Sequence, residues 1–184
     1  MNREIREVTM NTREDEDSYE KYEFRIIHSD EAETATQIEA ACFPPNEACV
    51  LPIMKERVRL APDLFLVAVD KKTGQMVGFI NSIATDERTL RDEFFTEPML
   101  HDPDGKNVMI LSVAVLPEYR NQGLAREMMQ IYLSREADRK RQLIVLTCLE
   151  GKVKMYEKFG FRDCGESGSE WGGEQWHEMV YVLN

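Results

Sequence analysis

A run of nine residues, NVMILSVAV at positions 107–115, constrains the fold of this chain most strongly. The run is apolar at both parities, so the strand that it predicts must be buried on both faces. Such a strand lies inside a sheet that other elements cover on each side. The sequence therefore favours an α/β (mixed α+β) fold, with a central mixed sheet flanked by helices.

The flanking segments alternate between strand-like and helix-like patterns, in the order β-α-α-β-β-β-α-β-α-β-β. Apolar or alternating runs predict strands at residues 23–27, 64–70, 75–85, 107–115, 142–148, 161–166 and 175–183. Helical periodicity predicts helices at residues 30–43, 51–61, from 121 onward and 151–160. The helix after residue 121 is expected to bury one stripe, formed by Leu124, Met128, Ile131 and Arg135.

The 184 residues fit one domain, preceded by a short tail. The first 23 residues contain eight acidic and four basic side chains. This composition predicts a flexible acidic tail over residues 1–22, with a regulatory or partner-binding arm as the alternative. The folded domain is then expected to cover residues 23–184.

Composition also restricts the classes of partner. A net charge of −11 argues against nucleic acid, because nucleic-acid binders need a basic face. No apolar stretch approaches the roughly 20 residues of a membrane helix, so we expect a cytoplasmic protein without membrane contact. The cysteines lack CxxC spacing, which indicates free thiols and no metal site; they are Cys42, Cys49, Cys148 and Cys164.

The seam between the central strand and the next helix reads Arg120-Asn-Gln-Gly123-Leu-Ala125. The first amides of a helix have no partner within it, and the positive end of its dipole favours anions. A glycine there lets a phosphate approach, and Arg120 and Arg126 add positive charge. Neither GxxxxGK[ST] nor GxGxxG is present. Taken alone, the seam fits equally a glycine that eases close packing.

The seam resembles the pyrophosphate loop, Q/R-x-x-G-x-G/A, of the GNAT superfamily of N-acetyltransferases. The segment MYEKFGF at residues 155–161 is similar to that superfamily's second signature. Residues 38–68 and the aromatic-rich C-terminal end look like the arylalkylamine (serotonin) N-acetyltransferase branch. The resemblance implies the GNAT fold and direct acetyl transfer from acetyl-CoA, the cosubstrate, to a primary amine, possible arylalkylamines included, in a ternary complex.

The resemblance also assigns residues to the cosubstrate. Backbone groups of the central strand are expected to bind the pantetheine arm, and the loop amides the pyrophosphate. Tyr156 is the expected general acid for the departing thiolate, with aromatic packing as the alternative role. The implied cofactor-binding residues are Val113, Ala114, Val115, Arg120, Asn121, Gln122, Gly123, Leu124, Ala125, Arg126 and Tyr156.

The proton acceptor does not follow from the resemblance. The positions of the branch's two relay histidines carry Met109 and Leu111, and neither side chain can titrate. Glu150 is a candidate base or member of a water wire, and Ser112 a candidate polar link. Met109 and Leu111, with Phe43 and Pro45 from the α–α loop, are candidate substrate-binding residues.

Three functions are therefore carried forward. The first is N-acetylation of a small primary amine by a monomer or homodimer. The second is acetylation of a protein or peptide amine, which an open groove would favour. The third is CoA binding without catalysis, which the missing histidines favour and Tyr156 opposes.

Overall fold

The computed structural model describes residues 21–183. The strands are β1 Tyr22–Ile26, β2 Phe65–Asp70, β3 Gln75–Thr85, β4 Asn107–Val115, β5 Leu143–Cys148, β6 Arg162–Glu166 and β7 His177–Val182. The helices are α1 Ala32–Cys42, α2 Leu51–Leu60, the single turn α3 Glu93–Thr96, α4 Leu124–Asp138 and α5 Glu150–Lys158. The predicted fold class and order of elements are confirmed, and the charged segment 86–106, which predicts a short helix and a loop, contains α3.

The predicted tail over residues 1–22 lies outside the described residues, apart from its last two positions. Tyr22 already belongs to β1 and is 3% exposed. Within residues 21–183, no helix is both long enough and apolar enough to cross a membrane.

The strands form one sheet in the order β1-β2-β3-β4-β5-β7-β6. The pair β4–β5 is parallel and every other pair is antiparallel. Parallel neighbours need a long crossover connection, and α4 provides it. The start of α4 is therefore placed at the carboxyl end of β4, in the middle of the sheet.

The two central strands, β4 and β5, separate halfway along their length. They pair only at Asn107–Leu143, Val108–Ile144 and Met109–Val145. Just beyond this point β4 bulges at Leu111, because Asn81 pairs with Ser112 while Ser82 pairs with Ile110. A cleft opens between the carboxyl ends of the two strands, with β4 still held by β3 on its other side.

Helix α4 covers one face of the sheet with the stripe Leu124, Met128 and Tyr132, each at most 1% exposed. The predicted stripe continues at Ile131, which packs against the same core cluster, and ends at Arg135, which is only partly buried. Ile131 is only half-buried, and the Arg135 guanidinium donates a hydrogen bond to the Asp63 carbonyl oxygen at 2.7 Å. Tyr132 follows Leu124 and Met128 at a spacing of four residues. Its hydroxyl forms a hydrogen bond with the Ser82 hydroxyl in the core.

We predict that Gly105→Ala destabilises the fold, because an added Cβ would lie 2.4 Å from the Thr85 backbone nitrogen. Overpacking of this kind costs about 1–3 kcal/mol in the free energy of unfolding. Gly151→Ala is the matched control, since its Cβ would meet nothing within 4 Å, and a helical alanine is worth about 0.5–1 kcal/mol over glycine. Urea denaturation measures both, and equal midpoints for the two variants would contradict the prediction.

Candidate functional site

A cavity of about 640 Å³ occupies the cleft between the separated ends of β4 and β5. Its walls come from the loop after α1, the carboxyl half of β4, the loop into α4, the end of β5 and α5. A narrower pocket of about 90 Å³ adjoins it. The two share the side chains of Phe43, Glu47, Val113, Thr147, Tyr156 and Trp176, so they form one site with a wide and a narrow part.

The start of α4 forms one end of the wide cavity. Gly123 precedes the helix with φ 84°, a left-handed conformation that favours glycine, and Asn121 has φ 59°. No side chain caps the helix, and a Cβ on Gly123 would meet nothing within 4 Å. The first-turn amides are therefore uncapped beside open space, which is the arrangement that binds anions.

Cationic side chains line the same cavity: Arg120 and Arg126 beside the helix start, and Lys152 on α5. The Arg120 Nε donates a hydrogen bond to the Val115 carbonyl oxygen at 2.9 Å, which ties the loop to the end of β4. Positive charge and uncapped amides thus act together on this end of the cavity.

Most of the predicted cofactor-binding residues line the wide cavity: Val113, Val115, Arg120, Asn121, Gly123, Leu124, Ala125, Arg126 and Tyr156. Two predicted residues do not line it. Ala114 is 1% exposed and belongs to the main core cluster. The Gln122 side chain accepts a hydrogen bond from Lys21 Nζ and donates one to the Glu118 carbonyl oxygen. Their backbone groups alone are left for the predicted role.

Tyr156 lies on α5 at the junction of the wide and narrow parts and lines both. Its ring packs edge-on against Phe159 and Phe161, each with ring centroids 5.8 Å away. Burial, with a smaller contribution from Cys148, raises the pKa of the Tyr156 phenol above its ordinary value. The phenol therefore keeps its proton at neutral pH.

Glu39, on α1, is a site residue that the sequence reasoning missed. The side chain is 4% exposed and lines the narrow pocket together with Tyr156. Its Oε1 accepts hydrogen bonds from Ser112 Oγ at 2.9 Å and from the Cys49 amide at 3.4 Å. Its Oε2 is buried without a hydrogen-bond partner. The site thus contains a carboxylate oxygen that is free to accept a proton from a ligand.

The ionisation of Glu39 is held between opposing effects. Burial raises the pKa of the Glu39 carboxyl, and this is the largest effect. The charge of Arg57 and the hydrogen bonds from Ser112 and Cys49 act in the other direction, without cancelling it. A carboxylate whose pKa is raised is a stronger base than an exposed one.

A sequence signal for Glu39 existed. The residue falls on the buried face of α1, between Ala35, Ile38 and Cys42 at helical spacing. An acidic side chain is almost never fully buried unless something in the fold uses it. A charged position inside an apolar stripe therefore indicates a functional group.

The other predicted catalytic and substrate residues divide into two groups. Ser112 and Leu111 line the narrow pocket, and Phe43 lines both parts. Glu150, in contrast, is exposed at the start of α5 and lines neither part. Pro45 is also exposed, and its neighbour Pro44 lines the cavity instead.

Met109 does not lie at the pocket either. It is fully buried in a core cluster with Ile83, Phe94 and Val145. Leu111 packs against the same cluster but is only partly buried, so it reaches the narrow pocket while Met109 does not.

Two loops close the narrow end. The Asn46 amide donates a hydrogen bond to the Gly172 carbonyl oxygen at 2.7 Å, and Trp171 Nε1 donates one to the Glu47 carbonyl oxygen at 3.2 Å. The Trp171 ring also stacks on Phe95, with centroids 4.7 Å apart. We call these contacts the roof; Glu47, Phe95 and Trp171, which take part in them, line the narrow pocket.

A model of the acetyltransferase (GNAT) family matches residues 12–161, a span that includes the uncapped start of α4 and Tyr156. The chain belongs to the GNAT family. The family model ends at Phe161, so Trp171 and Trp176 lie beyond the matched residues of this GNAT chain.

Individual relatives agree with this membership. The GNAT chain is 30% identical to the serotonin N-acetyltransferase of Mesocricetus auratus over 151 residues, which cover 78% of this chain and 69% of that protein. Among solved structures, it is similar to the loading GNATL domain of CurA from Lyngbya majuscula. The TM-score is 0.74 at 17% identity, with 88% of this chain and 98% of that one covered.

A second solved structure is a GNAT superfamily phosphinothricin acetyltransferase from Sinorhizobium meliloti in complex with AcCoA. Its TM-score is 0.64 at 14% identity, and the match covers 89% of each chain. At such identities the two structures support the fold of the GNAT chain, and the family model and the serotonin N-acetyltransferase relative support its membership.

We predict that Glu39→Gln stabilises the protein at neutral pH. The raised pKa means that the contribution of Glu39 to stability is greatest below the unfolded-state value, about 4.3, and is lost as pH rises through the folded-state value. Glutamine keeps the polar contacts without the charge, so its advantage should grow across that window to the order of 1–3 kcal/mol.

The measurement is urea denaturation between pH 4.5 and pH 8.5. Glu33→Gln is the control, because Glu33 lies on the same helix with 69% of its side chain exposed. A Glu39→Gln variant that loses stability as pH rises, in parallel with the wild type, would contradict the prediction.

Proposed function

We propose that this chain transfers the acetyl group of acetyl-CoA to the primary amine of a small molecule. The observation that carries the proposal is a single site with an uncapped, cationic helix start at one end and a buried, half-satisfied carboxylate at the other, joined by Tyr156. Membership of the GNAT family and the serotonin N-acetyltransferase relative support the acetyltransferase chemistry.

Acetyl-CoA fits the wide part of the site as a substrate. Its pyrophosphate would be held by the first-turn amides of α4, at residues 124–126, with Arg120 and Arg126 beside them. Its pantetheine arm would lie along the edge of β4 that β5 leaves free beyond Met109. The acetyl group would then be directed toward Tyr156 and the narrow pocket.

Glu39 would prepare the acceptor for attack. An alkylamine with a pKa near 10.4 is almost entirely protonated at pH 7, which costs about 4 kcal/mol to reverse. Glu39 Oε2 has no other hydrogen-bond partner and would accept this proton. Ser112, which donates to Oε1, would hold the carboxylate in place and offer a polar link toward solvent.

Tyr156 would complete the reaction. The neutral amine attacks the thioester carbonyl carbon, a C–N bond forms, and the C–S bond breaks. The phenol gives its proton to the departing sulfur and regains one from the nitrogen of the new amide, while the proton on Glu39 passes to solvent. The raised pKa of Tyr156 keeps the phenol protonated until sulfur needs the proton.

The size of the acceptor is supported by the roof. The contacts between residues 46–47 and residues 171–172 hold two loops together beside a narrow pocket of about 90 Å³, which favours a small acceptor over a protein substrate that needs an extended groove. The two alternative functions are acetylation of a peptide amine and CoA binding without catalysis. A panel of acceptors would distinguish both from acetylation of a small amine. The cytoplasmic location and the monomer or homodimer state stay predictions.

We predict that Gly123→Ala weakens CoA binding about tenfold, because alanine at φ 84° is strained by ~1–2 kcal/mol and turns the helix start out of shape. Gly74→Ala is the matched control, since Gly74 has φ 70° and equally open space but lies in the β2–β3 turn. Calorimetric titration with CoA should separate the variants. Equal CoA affinities of the two variants would argue against pyrophosphate binding at the start of α4.

We predict that Tyr156→Phe and Glu39→Gln each lower kcat by at least tenfold, since acid–base groups typically contribute ~10² or more. Thiol release from acetyl-CoA with a panel of amines measures this. The acid limb of the kcat/KM profile should lie above the ordinary carboxyl range in the wild type and flatten in Glu39→Gln. An acid limb that is the same in Glu39→Gln as in the wild type would rule out Glu39 as the base. CoA binding without turnover of any amine would favour the alternative function, CoA binding without catalysis.

A further inference from the structure

The charged side chains around the site are distributed unevenly. The cations Arg120, Arg126 and Lys152 line only the wide part. Of the acids, Glu39 lines the narrow pocket, Glu47 lines both parts, and Glu174 lines the wide part. The charged residues that line the narrow pocket are therefore all acidic, whereas the wide part carries both signs.

Glu47 and Glu174 lie close enough to repel each other. Burial raises the pKa of Glu47, and the charge of Glu174 raises it further. Within residues 21–183, neither carboxylate forms an ion pair with a lysine, arginine or histidine. Two like charges without a counterion at the entrance of a pocket favour a cation between them.

Glu47 is held in position by its surroundings. The Glu47 carbonyl oxygen accepts the Trp171 hydrogen bond, and its side chain lies against Gly172, where a Cβ would be 2.5 Å from Glu47 Cγ. The aromatic faces of Trp171 and Trp176 line the same pocket. Carboxylates and indole rings together suit an alkylammonium group.

Glu39 provides a second and independent observation. Its side chain is 96% buried, its Oε2 has no hydrogen-bond partner, and it lines the narrow pocket that Glu47 also lines. The site therefore offers one carboxyl group in its narrow pocket and two more that line its wide part. An acceptor with one amine would satisfy the first and leave the other two without a counterion.

We propose that the acceptor carries two positive charges, as a linear aliphatic diamine does. One ammonium gives its proton to Glu39 and reacts, and the other lies between Glu47 and Glu174. This inference rests on the proposed function and names its substrate class. An aromatic amine would use the tryptophan faces but would leave Glu47 and Glu174 repelling each other.

The test compares acceptors that differ in one group: putrescine, butylamine and phenethylamine, each with acetyl-CoA. We expect kcat/KM for putrescine to exceed that for butylamine at least tenfold. Glu47→Gln and Glu174→Gln should each raise KM for putrescine by about fivefold, the scale of a partly exposed ion pair, and leave butylamine unchanged. Glu170→Gln is the control, because Glu170 is exposed in the same loop and lines neither part.

The alternatives give different results. Equal kcat/KM for putrescine and butylamine, or equal losses on both in the variants, would overturn the diamine inference and leave the proposed function intact. Preference for phenethylamine without any effect of the variants would overturn it in favour of ring recognition. CoA binding with no turnover of any amine would refute the proposed function itself. Because Glu174 is exposed, Glu174→Gln is expected to fold, and it tests the inference even if Glu47→Gln does not fold.

Discussion

The parting of β4 from β5 is the constraint on which the rest of this structure depends. Their hydrogen-bonded ladder ends at Met109–Val145, although both strands continue toward the same edge of the sheet. Each unpaired backbone group in a buried strand is costly unless a ligand or side chain replaces the lost partner. The Arg120 guanidinium does this at Val115, and the remaining free edge faces the cavity. The cleft, the free edge and the start of α4 all follow from this one break.

The site is held at some cost in stability. Glu39 and Arg57 are at most 4% exposed, and polar atoms of both side chains are buried without hydrogen-bond partners. The charge of Arg57 eases the ionisation of Glu39 without offsetting its burial. A core built for stability alone would replace such a pair with apolar side chains of similar volume. Retention of the pair is consistent with an acceptor site that needs a carboxylate in a water-poor pocket.

Much of the fold could be predicted from local pattern. The apolar run at residues 107–115 fixed a buried central strand, and Gly123 with Ala125 marked the helix start that the structure places at the cavity. Tyr156 was assigned through the family resemblance of its short motif and lines both parts of the site, while its role stays a prediction. The strand and the helix start could be predicted because periodicity and turn chemistry act over a few residues.

The acceptor end could not be predicted in the same way. The position of Glu39 inside an apolar stripe indicates that it is buried, but its contact with Ser112, 73 residues away, leaves no local pattern. Met109 was assigned to the pocket because it stands where the resembled branch has a relay histidine, but the structure packs it into the core with Ile83, Phe94 and Val145. Glu150 was assigned from its place after a strand, but the first residue of α5 points to solvent. Long-range packing decides all three.

Within residues 21–183, the roof joins residues 46–47 to residues 171–172 through two hydrogen bonds, and the Trp171 ring also stacks on Phe95. None of these contacts belongs to the sheet ladder. Separating the two hydrogen bonds costs about 1–3 kcal/mol, far less than disrupting a strand. The acceptor end can therefore open and close many times during the lifetime of the folded sheet, so exchange of acceptor and product is uncoupled from the stability of the framework that holds the cosubstrate.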